Sequence, residues 1–114
     1  MALVIQDEVV VAANTTTDVL ANYINALVDP AIRGALIKFL YTASATGLDA
    51  EAWVGQRNVI ERGQTSIANR TPLDPDDLVN SNVPGRPNER IRLNAINTTG
   101  GGLTIFYRVE VNEL

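Results

Sequence analysis

The stretch that decides the fold is Arg90-Ile-Arg-Leu-Asn-Ala-Ile-Asn-Thr-Thr-Gly-Gly-Gly-Leu-Thr-Ile-Phe-Tyr-Arg-Val-Glu-Val111. Two runs of alternating character flank a Gly-rich link. In the first, Ile91, Leu93 and Ala95 point one way, and Arg90, Arg92 and Asn94 the other. In the second, Leu103, Ile105, Tyr107, Val109 and Val111 share a face opposite Thr104, Phe106, Arg108 and Glu110. Strand side chains alternate, so each run buries one face and wets the other. Asn97, Thr98, Thr99 and the three following glycines supply turn chemistry. The local pattern predicts a β-hairpin, or the end of a β-meander, as a floor for the earlier strands. It holds no catalytic pattern, and nearly all of the chain is alike in this.

Working outward, the 114 residues fit one domain with a single core. Charged residues are only 19%, below the usual quarter, which favours a surface partly buried against partners. There is no Cys and no His, so disulfide, thiolate and imidazole chemistry are excluded. The net charge of −4 argues against neutralising a phosphate backbone. Lys38 is the one lysine; the other cations are arginines, which suit interfaces. The N-terminal residues lack a signal-peptide pattern, and no apolar run is long enough to span a membrane.

Along the chain, residues 3–11 read as one or two short strands with a polar break at Gln6, Asp7 and Glu8. Joining the sheet is preferred to an arm reaching a neighbour. Residues 19–28 carry apolar pairs at a helical period, with Asp18 as cap and Pro30 beyond the end. The β-rich surroundings allow instead two strands kinked at Asn22, and both readings stand. Residues 34–42 read as a strand apolar on both faces, hence a central strand or one with a face covered by a partner. Leu48, Ala50, Ala52 and Val54 alternate with Asp49, Glu51 and Trp53, a half-exposed strand read as a hairpin with its predecessor. Gly55 marks a bulge or turn. Residues 58–61 and 65–68 are short strand candidates about a turn at Glu61-Arg62-Gly63. Residues 71–89, with four prolines, read as one capped turn burying Leu78 and Val79, then an extended Greek-key crossing between sheets.

No motif carries chemistry. Asp74, Asp76 and Asp77 lack the spacing of a calcium loop and fit cap and turn roles. Asp49 and Glu51 share a strand face as an acid pair might in glycoside chemistry, but exposed strand carboxylates are common. Ser44, Ser66 and Ser81 have no His to activate them, and Gly100 to Gly102 are not a phosphate loop. The acceptor-like triplets at Asn14, Asn69 and Asn97 read as turns. No catalytic, cofactor or metal residue is expected. Trp53 reads as core or subunit contact in preference to a sugar platform, with Phe39 and Tyr41 extending its patch.

Residues 42–47, Trp53-Val54-Gly55 and residues 90–99, in a short all-β chain with Asn/Thr-rich turns and a proline-rich crossover, resemble the small accessory proteins of virus and bacteriophage capsids. These are cement, decoration or minor capsid proteins. The resemblance implies an antiparallel β-sandwich of jelly-roll type, with at most one short helix. It implies a non-enzymatic protein of the virion, made in the host cytoplasm and placed on the capsid surface. Its partners would be the major capsid protein and copies of itself, a trimer foremost, with no nucleic acid, membrane or cofactor. Leu3, Val9, Trp53, Leu78 and Arg86 are the expected contact residues. The rival is a carbohydrate- or receptor-binding module of a viral fibre, stacking a ligand on Trp53 and Tyr41.

Overall fold

The computed structural model describes residues 2–21, 23, 34–74 and 76–113. Eight strands occupy them: β1 (Ala2–Val11), β2 (Thr15–Asp18), β3 (Ala35–Ala43), β4 (Leu48–Val54), β5 (Arg57–Gln64), β6 (Leu78–Gly85), β7 (Ile91–Asn97) and β8 (Leu103–Glu113). They form two antiparallel sheets, ordered β1-β8-β3-β6 and β2-β7-β4-β5. Each strand of the first half pairs with its mirror image in the second: β1 with β8, β2 with β7, β3 with β6, β4 with β5. This is a long hairpin, bent at the β4–β5 turn and rolled so that successive pairs fall in opposite sheets. The β3·β8 and β4·β7 ladders complete the two sheets. The result is an eight-stranded jelly roll, the expected sandwich.

The faces follow the alternation read from the sequence. Ile91, Leu93 and Ala95 are fully buried, as are Ile105, Tyr107 and Val109. The two sheets divide the core volume unequally. β3 and β8 contribute Ile37, Phe39, Tyr41, Ile105 and Tyr107; the opposite sheet offers Ala50, Ala52 and Ala95 among its buried positions. Leu48, Val54, Ile91 and Leu93 add bulk from the second sheet, and the two sheets fill a single interior.

The pairing corrects several expectations. β7 and β8 are not a hairpin or a meander, because they lie in different sheets. β3 and β4 likewise separate. Alternation fixes which face is apolar, and two such faces bury equally well face to face as side by side. Glu61, Arg62 and Gly63 lie inside β5, not in a turn; the β4–β5 register slips beside them. Residues 78–85 are a strand, not a structureless crossing. β6 is an edge strand, the place where Pro84 is tolerated because an N–H can be spared. Val79 is therefore exposed, not buried. Residues 3–11 join the sheet as expected, but as part of one unbroken strand. Residues 65–68 contribute only a bridge from Ile67 to Ala43.

The described residues contain no helix. Most of 19–28 lies outside them. Asp18 does cap the turn that follows β2: its Oδ1 accepts from Leu20 N at 3.1 Å.

The crossing from β5 to β6 passes between sheets, as expected. It lies over the outer face of β3, where Thr42 Oγ1 donates to the Arg70 carbonyl and Lys38 pairs with Asp74. Leu40, between them, is fully buried yet stands apart from the inter-sheet cluster. Both faces of this central strand are thus covered.

Burial also sets an alkaline limit. Burial raises the Tyr41 hydroxyl to about 12. Burial, and then the hydrogen bond with Tyr23, raises Tyr107 as well. An unfolded tyrosine ionises near 10. As pH rises past about 10, the unfolded chain releases these protons while the native chain retains them, so stability falls with rising pH. Phenolate absorbance should show Tyr41 and Tyr107 silent in the native protein until close to pH 12. The urea midpoint should drop between about pH 10 and 12. Both tyrosines titrating near pH 10 in folded protein would contradict their burial.

Candidate functional site: an arginine-lined groove

The β4–β5 turn and the β6–β7 link meet at one end of the sandwich. Gly55, with φ +62°, makes the turn, and its N–H donates to the Arg90 carbonyl at 2.8 Å. A Cβ at this position would stand 2.5 Å from Glu89 Oε2, so only glycine lets the carboxylate lie this close. Glu89 Oε1 accepts from Arg57 Nη2 and from the Arg86 N–H, each at 2.6 Å. Arg57 Nη2 also donates to the Pro84 carbonyl at 2.9 Å. Burial works to raise the Glu89 carboxyl. The Arg86 N–H, the Arg57 hydrogen bond and both arginine charges outweigh it and hold the group below its ordinary value.

Two arginines at the start of β7 complete the wall. Arg90 donates to the carbonyls of Leu20 at 2.7 Å and of Ala21 and Tyr23 at 3.2 Å, pinning the turn after β2. Arg92 stands opposite Trp53 in the β4·β7 register, its guanidinium carbon 5.2 Å from the ring centroid. Between these residues runs an open groove of about 620 Å³, lined by Gly55, Arg57, Arg86, Glu89, Arg90 and Arg92 among others. Four arginines and one glutamate line it, in a chain whose net charge is −4.

The expected contact residues scatter. Trp53 is half-buried on the outer face of its sheet, next to the groove through Arg92. Arg86 is exposed and lines the groove. Leu78 begins β6, half-buried opposite Leu40. Val9 is half-buried and packs against the core. Leu3 pairs with Val111 in the backbone ladder, and its side chain lies outside the described residues. Phe39 and Tyr41 do not extend the Trp53 patch; both are core. Arg57, Glu89, Arg90 and Arg92 escaped the sequence reading as a group. Arg90 and Arg92 show there only as the wet face of a strand, and Arg57 stands 32 residues from Glu89.

The remaining candidates are engaged locally. Asp49 accepts from Arg62, and Glu51 from Asn94, across their own sheet. Asp77 accepts from Arg70 and from Leu73 N, which is a turn role. No group of three potential metal ligands occurs among the described residues. Asn97 is 1% exposed, so its triplet is a buried clamp and not a glycan acceptor.

No family model, curated protein or solved structure matches the chain. A groove rich in arginine and poor in carboxylate suits recognition of an anionic group by charge-assisted hydrogen bonds.

Proposed function

We propose that this chain is a structural protein of a virion: a cement, decoration or minor capsid protein that stabilises the shell by contact with the major capsid protein and with copies of itself. The observation that carries this reading is the make-up of the edges of the β1-β8-β3-β6 sheet. On β1, Val10 is 69% and Val4 44% exposed; on β6, Val79 is 42% exposed. Asp7 and Glu8 on β1 and Pro84 on β6 guard the open ladders, so the exposed valines offer a neighbouring subunit a side-chain face to pack against. The jelly roll itself recurs in capsid shells, in lectins and in cupins, so fold alone does not choose among them. The lectin-like reading loses ground at Trp53, because Arg92 already faces the ring on which a sugar would stack.

Each contact is modest, and repetition over a lattice makes the sum large. Shells stripped of accessory proteins should take up the purified chain to saturation and sediment with it. Loaded shells should then resist thermal opening better than bare ones. A chain that stays at the top of the gradient and leaves shell opening unchanged would end this reading.

A further inference from the structure

We infer that the groove between the β4–β5 turn and the β6–β7 link is a docking site for an acidic segment of a partner protein. The inference rests on the contact role proposed above and names the chemistry of the contact. Four arginines line the groove, and its one lining carboxylate, Glu89, is already shared by Arg57 and the Arg86 N–H. Donors exceed acceptors even so. Arg57 Nε is buried with no acceptor. Arg86 and Arg92 form no ion pair among the described residues. Arg57 and Arg90 are held by the protein's own oxygens. Arg86 and Arg92 are therefore the two forks that present themselves to a partner, and carboxylates match such forks in a bidentate way.

The charge pattern favours a short acidic peptide over nucleic acid. Two available guanidinium groups do not make a track for an extended polyanion, and the chain as a whole is acidic. The nearby aromatic ring is faced by Arg92 and offers no open platform for a base.

Trp53 is the single tryptophan and lies against Arg92, so its emission reports on the groove. A short polyglutamate peptide titrated at low salt should shift Trp53 emission saturably, and added salt should weaken the effect. Arg86→Glu should weaken it about tenfold or more. Arg86 is exposed but its charge favours ionised Glu89, so the neutral Arg86→Gln, which should also bind more weakly, is the variant expected to keep a midpoint close to the parent's. No saturable shift, or an unchanged affinity in Arg86→Glu, would overturn the inference. Inorganic phosphate or a single-stranded oligonucleotide matching the peptide would overturn the commitment to a protein segment. The shell experiment separates the two proposals. If Arg86→Glu loads stripped shells like the parent, the groove is not the contact and the virion role stands. If the parent binds polyglutamate but ignores shells, the groove stands and the virion role falls.

Discussion

Phe39→Ala should lower the free energy of unfolding by about 3–5 kcal/mol. Phe39 is fully buried at the middle of β3, and β3 is flanked on both sides, by β8 and β6. Truncation removes the transfer free energy of a whole ring and leaves a cavity. Among the buried residues of the opposite sheet are Ala50, Ala52 and Ala95, which are too small to fill such a cavity. A domain of this size is stable by about 5–15 kcal/mol, so the loss takes up a large part of the whole. Urea unfolding followed by Trp53 fluorescence measures it. Phe106, on the outer face of β8 and half-buried, is the control; Phe106→Ala should cost about 1 kcal/mol. Equal losses at the two positions would mean that the inter-sheet core is wrongly placed.

Asn97→Asp is expected to cost about 3 kcal/mol or more at neutral pH. Asn97 Nδ2 donates to the carbonyls of Val11 at 2.9 Å and Gly101 at 2.8 Å. Its Oδ1 accepts from Thr99 N at 2.9 Å and Thr99 Oγ1 at 2.7 Å. One amide thus ties the end of β1 to the link that carries the chain from β7 in one sheet to β8 in the other. A carboxylate there loses both donated bonds and sets a buried charge against two carbonyl oxygens. Ionisation is then opposed in the native state, so the native pKa of the new carboxyl rises above its unfolded value. The variant should recover part of its stability relative to the parent as pH falls through the raised native value toward about 4, and gain no more below that. Parallel urea series at neutral and acidic pH test both the loss and its sign. A variant within about 0.5 kcal/mol of the parent at neutral pH would show that Asn97 does not clamp the crossing.

This clamp marks the limit of what was legible. Asn97 and the glycines after it were recognised as turn chemistry, and they do turn the chain. Whether the turn keeps the chain in its sheet or passes it to the other is not written in those residues. The same holds at Ser44 to Gly47, where a link read as a hairpin joins opposite sheets. Propensity misled in the other direction at β6. Its Asn, Ser, Pro and Gly residues argue against a strand, yet an edge position beside β3 accepts them. Gly63 misled in β5, where a register slip, not a turn, uses the freedom near it. Of the prolines in the 71–89 segment, Pro72 lies in the crossing from β5 to β6, whereas Pro84 stands in the β6 ladder opposite Leu36.

The groove shows the same division. In the sequence Arg86 stands out as a contact residue, and Arg90 and Arg92 lie on a wet strand face. Their convergence with Arg57 and Glu89 depends on the β4–β5 turn and the β6–β7 link ending side by side.

By itself the sequence determined the inward face of the alternating strands, from Leu48, Ala50, Ala52 and Val54 on β4 to Ile105, Tyr107 and Val109 on β8. Side-chain direction in a strand is set within two or three residues by backbone geometry, so a local pattern suffices. Only the tertiary structure decided which strand lies beside which, and so which charges gather at one end. Closing a longer loop costs little more than closing a short one, so sequence distance barely penalises a rival pairing. The choice falls to the fit of whole apolar faces across the core, a property that no single segment contains.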